Sequence, residues 1–397
     1  MNASAPSLAR RCDAVAPFFV LELIKEAGQL ERSGRSIVHL SVGEPDFTAP
    51  EPVVRAAQAA VESGRSRYTP ALGITALREA ISRFYRDRFG LSVEPDRVVI
   101  TAGASGALVL LLSALLDPED EVLLPDPCYP CNRHIASAVG ARFRLITCGP
   151  AERFQLSAAA VEPAWSAHTR GVLIGSPSNP TGTTIQWDAL AQLCDRVLAR
   201  GGFVLVDEIY QGLTYDHAPA TALSLDPRVA VINSFSKYFG MTGWRLGWIV
   251  APPEWVAALE RLSQNLYLCA SAIAQHAALA CFEADSLEVF EQRREQFRQR
   301  RNFLLPALRQ LGFGVPVVPD GAFYVYADIS TLTRADGDRF EGSSQFARRL
   351  LHEAGVCLVP GKDFGRFDAE RYVRLSYATS MEKLQEAIRR IGAYLGR

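Results

Sequence analysis

Lys237 stands in the run Ser234-Phe235-Ser236-Lys237-Tyr238-Phe239-Gly240-Met241-Thr242-Gly243-Trp244-Arg245, which sets an amine nucleophile, two hydroxyls, two hinge glycines and a fixed cation within twelve residues. A lysine amine can condense with an aldehyde, and neighbouring hydroxyls with an arginine can hold the phosphate that such an aldehyde carries. That combination points to pyridoxal 5'-phosphate. Most lysines are solvated surface charges, but these apolar, glycine-punctuated flanks give a surface lysine no use for its neighbours.

Three other places offer chemistry. Thr101-Ala102-Gly103-Ala104-Ser105-Gly106-Ala107 lies where a strand ends and a helix begins, and its small side chains let backbone N–H groups approach an anion. Val204-Leu205-Val206-Asp207 puts a carboxylate at the carboxyl end of a buried strand, where ligands collect in open α/β sheets. Arg374 is a charge inside the apolar run Tyr372–Tyr377; a buried guanidinium there needs a partner, and a carboxylate suits its fork. A structural ion pair with a strand-end acid would serve it equally.

Read together, these segments resemble the class I and II aminotransferases, the aspartate aminotransferase family of fold-type I pyridoxal-phosphate enzymes. Members bind the cofactor through the lysine of Ser-x-Ser-Lys followed by Gly-x-x-Gly-x-Arg, which Ser234 to Arg245 fits throughout, and further matches run in family order from Gly43 to Arg374. The resemblance implies a role for each matching residue. Gly103, Ala104, Ser105, Ser234, Ser236 and Arg245 would form the phosphate cup, and Tyr68 would reach the phosphate of the neighbouring subunit in a homodimer. Asp207 would face the pyridine nitrogen, Tyr210 and Asn179 would share the ring oxygen, and Tyr129 would stack on the ring. Arg374 would grip the substrate α-carboxylate beside the backbone of Gly43. Lys237 would bind the cofactor and then move the Cα proton, with Asp207 and Tyr210 as its catalytic partners. An amino group would pass in ping-pong fashion from an L-amino acid to a 2-oxo acid, with 2-oxoglutarate the expected acceptor. Where dicarboxylate-selective members carry small polar residues, this chain reads Ala16-Pro17-Phe18-Phe19-Val20, so Phe18 is a candidate substrate contact and a neutral or aromatic donor is expected, with aspartate the alternative.

These groups need a scaffold. Apolar β-branched runs at Arg97–Thr101, Glu121–Pro125, Arg142–Thr147, Gly171–Ser176, Phe203–Asp207, Val229–Ser234 and Leu246–Ala251 alternate with helical segments and predict a seven-stranded, mostly parallel sheet covered on both faces. The resemblance adds that one strand is antiparallel. After Pro253 a helical pattern runs towards Leu311, broken at Glu283–Asp285 and Pro306; strands follow at Gly321–Tyr326, Val356–Val359 and Tyr372–Tyr377, with helices at Ser343–Ala354 and Met381–Leu395. The class is α/β, a fold-type I large domain plus a smaller α+β domain. Expected boundaries are 1–45 for an N-terminal segment joining the small domain, 46–290 for the large domain and 291–397 for the rest of the small one.

Composition narrows the partners. With 21% charged residues and a net charge of −1, nothing attracts a polyanion, and Arg293–Arg301, where Glu295 and glutamines interrupt the arginines, reads as a solvated helix face. Neither nucleic acid nor membrane is expected as a partner. Arg10 and Arg11 precede an apolar run from Val15 to Ile24, but Glu22 interrupts it, so export is not expected and a cytoplasmic location is. Eight scattered cysteines predict free thiols, and Cys128-Tyr129-Pro130-Cys131 lacks the second ligand pair of a zinc site, so no metal is expected. The rival activities are a carbon–sulfur β-lyase or a decarboxylase on the same fold. A regulatory module fused to a DNA-binding domain is the other class, and it is disfavoured because the aminotransferase pattern begins by about Arg11.

Overall fold

The computed structural model describes residues 8–334 and 337–397; the first seven residues of the expected N-terminal segment lie outside it. All seven predicted strands are present: β1 (Val98–Thr101), β2 (Glu121–Asp126), β3 (Arg142–Thr147), β4 (Thr169–Gly175), β5 (Phe203–Asp207), β6 (Ala230–Ser234) and β7 (Gly247–Val250). They form one sheet in the order β1-β7-β6-β5-β4-β2-β3. Only β7 runs antiparallel to its neighbours. Strands β1, β5 and β6 are buried along their whole length, as expected of strands covered on both faces, which is why they read as unbroken apolar runs.

A smaller antiparallel sheet joins β8 (Tyr324–Asp328), β9 (Val359–Pro360) and β10 (Tyr372–Ser376) in the order β9-β10-β8. The N-terminal chain docks beside it. Val38–His39 pairs in parallel with Val356–Cys357, and Ser376 N–H donates to the Leu40 carbonyl at 2.7 Å. The predicted strand Val356–Val359 is thus two short strands in two sheets, changing partner at the buried Leu358.

Three helices bear on the site: α1 (Phe19–Arg32), α2 (Gly103–Leu115) and α3 (Pro130–Ala138). Phe19 to Ile24, the second part of the apolar run that begins at Val15, opens α1. A fourth, α4 (Ala284–Gln310), corrects two expectations. It runs unbroken through Pro306; a mid-helix proline costs about 3 kcal/mol, which burial of Leu304, Leu305 and Leu308 around it offsets at about 1.5–3 kcal/mol each. Its arginines are not all solvated either. Arg300 and Arg301 are buried, the first forked onto Asp46 at 2.7 and 2.9 Å and the second paired with Asp216 at 2.6 Å. The expected boundary at residue 290 falls inside this continuous helix. Among the described residues no helix is long and apolar enough to cross a membrane.

Candidate active site

The carboxyl ends of β1, β2, β4, β5 and β6 and the start of β7 meet along one edge of the large sheet. Register aligns them: Gly175 lies opposite Asp207, Asp207 opposite Ile232, and Gly247 opposite both Ser234 and Thr101. A cavity of about 400 Å³ opens there, and its walls include Phe18, Gly43, Ala104, Ser105, Tyr129, Asn179, Asp207, Tyr210, Ser236, Lys237, Arg245 and Arg374. Residues from positions 18 to 374 are brought together.

Lys237 Nζ donates to the Gly43 carbonyl at 2.5 Å. Burial pushes its pKa down to about 8, with Glu44 opposing the shift and Arg374 and Arg245 adding to it. About a tenth of the amine is then neutral at pH 7, against well under a thousandth for an ordinary lysine, and the neutral form is what a nucleophile or base requires. Asp207 is buried and accepts from the Ile209 N–H at 3.1 Å. Burial pushes its carboxyl up to about 6 against that hydrogen bond and the Lys237 charge, so a cation at the cavity side of Asp207 is the partner it lacks.

One end of the cavity is built for an anion. The first turn of α2 has no side-chain cap, leaving its N–H groups free. Ser234 Oγ accepts from the Ser236 N–H at 3.0 Å, and its one hydrogen is shared between Ser236 Oγ at 2.9 Å and the Leu246 carbonyl at 3.1 Å; Ser234 thus lies behind Ser236 and supports it. Gly103 has φ +75°, and a Cβ there would stand 2.5 Å from Arg245 Nη2. The cup exists because that position carries no side chain. Gly103→Ala is expected to weaken pyridoxal phosphate binding at least about tenfold, combining left-handed strain with displacement of Arg245; equilibrium dialysis of cofactor-free protein measures it, and unchanged affinity would refute the cup.

Arg374 holds the opposite end. Its Nη1 donates to Asn179 Oδ1 at 2.9 Å and its Nη2 to the Ser41 carbonyl at 2.6 Å, while Nε is buried without a partner. It makes no ion pair with a carboxylate among the described residues, which removes the structural alternative. Tyr324 and Phe364 flank the guanidinium, their ring centroids 4.5 and 4.9 Å from Cζ. Tyr210 OH and Tyr324 OH are 2.8 Å apart. Tyr324, Phe364 and Asp363 escaped the sequence reading; the apolar alternation of Tyr324-Val325-Tyr326 marks a strand, but not which tyrosine faces a cavity.

One predicted residue stands apart. Tyr68 is 82% exposed and outside this chain's own cavity. Cys128 is buried with its thiol pushed up to about 12 by desolvation, and Cys131 is raised for the same reason, which leaves both thiols protonated and weakly reactive.

The donor set fits a phosphorylated aldehyde bearing a ring nitrogen, with an anion cup, a buried carboxylate and a neutral amine in one cavity. Known proteins agree. Residues 35–391 match the family described as aminotransferase class I and II. A valine–pyruvate aminotransferase of Mycobacterium tuberculosis is 40% identical, covering 96% of this chain and 97% of its own. An aspartate aminotransferase of Geobacillus stearothermophilus is 35% identical over 98% of both. The crystal structure of an aminotransferase from Mycobacterium tuberculosis superposes with a TM-score of 0.93 at 39% identity, covering 99% of this chain and all of that one. Sheet, cavity and relatives converge: the chain belongs to the class I and II aminotransferases, pyridoxal-phosphate-dependent transaminases acting on amino acids and their 2-oxo acids.

Proposed function

We propose that this transaminase takes a neutral, apolar L-amino acid as donor and a monocarboxylic 2-oxo acid as acceptor. The observation that carries the reading is Arg374, a buried guanidinium with no acid partner among the described residues, at the other side of a cavity lined by Phe18, Val20, Leu21 and Ile24. A substrate carboxylate supplies the missing charge, and the side chain then meets hydrocarbon. Among the described residues that line the cavity, the cations are Lys237, Arg245 and Arg374, and none of them belongs to that apolar wall. The same lack that disfavours aspartate also disfavours 2-oxoglutarate, so this reading favours pyruvate over the acceptor expected from the sequence, in keeping with the name of the Mycobacterium relative. The aspartate aminotransferase relative keeps aspartate as the competing donor.

Gly103, Ala104, Ser105, Ser236 and Arg245 would hold the cofactor phosphate, with Ser234 behind them; Asp207 would face the ring nitrogen, Tyr210 and Asn179 the ring oxygen, and Tyr129 the ring face. When bound, pyridoxal phosphate supplies an aldehyde for the amino group and an electron sink for charge developing at the substrate Cα. Asp207 keeps a proton on the ring nitrogen. Lys237 takes the proton from the substrate Cα, and its depressed pKa matches that task near neutral pH. Arg374, with the Gly43 loop, fixes the carboxylate so that the Cα–H bond is aimed at Lys237.

The exposed Tyr68 is part of the same proposal: in a homodimer its hydroxyl would serve the partner's phosphate cup. So are the joining of the N-terminal segment up to about residue 45 to the small domain, supported by the docking of Val38–His39 on Val356–Cys357, a second division near residue 290 within α4, and a cytoplasmic location.

The test is a donor series. Purified holoenzyme receives valine, leucine, phenylalanine, alanine or aspartate, each with pyruvate or 2-oxoglutarate, and the 2-oxo acid formed is measured. Neutral donors are expected to exceed aspartate in kcat/KM by at least about 100-fold, the cost of burying an unpaired carboxylate. Comparable turnover of aspartate would sink the selectivity claim, and ammonia release without an acceptor would favour the lyase.

A further inference from the structure

We infer that Asp363 is a positioning residue that sets the side-chain end of the substrate cavity, clamping the first turn of α1 so that the loop around it selects donors by side-chain length. The inference rests on the reading above, in which the α-carboxylate lies at Arg374 and the side chain points to α1.

The helix lacks a cap of its own. Phe18 at its N-cap makes no side-chain capping bond, so the first N–H groups of α1 need partners from elsewhere. Asp363, buried and 344 residues away in sequence, supplies both: Phe19 N–H donates to Oδ1 at 2.7 Å and Val20 N–H to Oδ2 at 2.8 Å. A carboxylate at a helix N-terminus also gains from the helix dipole. Lys362 adds a second contact, its Nζ 3.5 Å from the centroid of the Phe19 ring. The first turns held this way carry Val20, Leu21 and Ile24 of the apolar wall.

The same loop is tied to the carboxylate end. Phe364, next to Asp363, packs its ring against Arg374, and its carbonyl accepts from the Cys128 N–H at 2.8 Å. Arg366 and Phe367 N–H groups donate to the Asp126 carboxylate at 3.0 and 3.1 Å. Gly365 makes this approach feasible, since a Cβ there would collide with Asp126 Oδ1. Arg133 Nη2 closes the set on the Asp363 carbonyl at 2.6 Å. Consecutive residues thus touch the guanidinium and the wall, and the span between them is fixed by the end of β2 rather than by the substrate. Such a span discriminates between side chains of different length, because a wall that is free to move would adjust to each.

Asp363→Ala holoenzyme, assayed with alanine, valine, leucine and phenylalanine, is expected to raise KM for leucine and phenylalanine about tenfold, with alanine changed less than about twofold and kcat within about threefold. An equal rise for every donor, or a fall in kcat alone, would overturn the assignment. Amide hydrogen exchange at Phe19 and Val20 tests the clamp independently of substrate, with at least about tenfold faster exchange expected in the variant; unchanged exchange refutes the clamp. If the wild-type enzyme prefers aspartate, the substrate reading fails while the exchange result still decides the clamp. Should Asp363→Ala not fold, Asp363→Asn keeps one acceptor and is expected to show a smaller shift with the same donor order. Leu21→Ala, at a half-exposed wall position, is expected to reproduce that order without touching the loop.

Discussion

Lys237→Ala is expected to lower transamination at least about 10⁴-fold, because one substitution removes both the covalent anchor and the base for the Cα proton. The variant should fold, since the hydrogen bond lost is a single one to the Gly43 carbonyl. Circular dichroism controls for that, and retention of dialysable pyridoxal phosphate shows that the cup persists. Activity within tenfold of wild type would remove Lys237 from the mechanism. A pH experiment on the wild-type chain examines the physical cause. Burial disfavours the charged amine, so the neutral form appears above about pH 8 rather than near the ordinary 10.5. The rate at which an amine-selective acylating reagent modifies Lys237 in cofactor-free protein should therefore rise between about pH 7 and 9 and level off above. A rise only near pH 10 would show that the cavity does not desolvate this lysine.

Arg374→Ala is expected to raise KM for donor and acceptor alike by at least about 30-fold, the equivalent of about 2 kcal/mol or more for a buried charge-assisted pair. Arg374→Lys should recover little of this. Nη1 and Nη2 reach Asn179 Oδ1 and the Ser41 carbonyl at the same time, and a single ammonium cannot reproduce that planar fork. Because both substrates present the same carboxylate, an effect on the amino acid but not on the 2-oxo acid would contradict the assigned role. Folding should survive, as Arg374 has no salt-bridged carboxylate among the described residues to be left unpaired when the guanidinium goes.

Relatives named for valine–pyruvate and for aspartate transfer share 40% and 35% identity with this chain, so donor choice does not follow from family membership alone. It depends on what faces the side chain. In the proposed reading that surface belongs to α1, a helix whose own N-cap is a phenylalanine and whose first N–H groups donate to Asp363. The two halves of substrate recognition are built from opposite ends of the chain.

The legible part of the molecule consists of features that are local in sequence. Strands covered on both faces cannot afford polar side chains, so β1, β5 and β6 announce themselves as apolar runs. The segment from Ser234 to Arg245 keeps its hydroxyls, amine and guanidinium within one turn-rich stretch, so its chemistry could be read without knowing the fold. Asp207 was legible for a related reason: a carboxylate ending a buried strand has few uses other than a ligand. Illegible features depend on neighbours remote in sequence. Pro306 breaks an isolated helix, yet here buried leucines hold α4 through it. Arg300 and Arg301 have the spacing of a solvated face, and only Asp46 and Asp216, brought from elsewhere, make them interior.

The sequence by itself determined the fold class, the family and its cofactor, because backbone preference, apolar periodicity and short-range motifs act over a few residues at a time. The tertiary structure alone decided that Tyr324 and Phe364 flank Arg374, that no acid among the described residues pairs with that guanidinium, and that Asp363 caps a helix more than three hundred residues away. Those are matters of distance between segments that only packing brings together, and specificity rests on them because a substrate bridges such segments rather than following the chain.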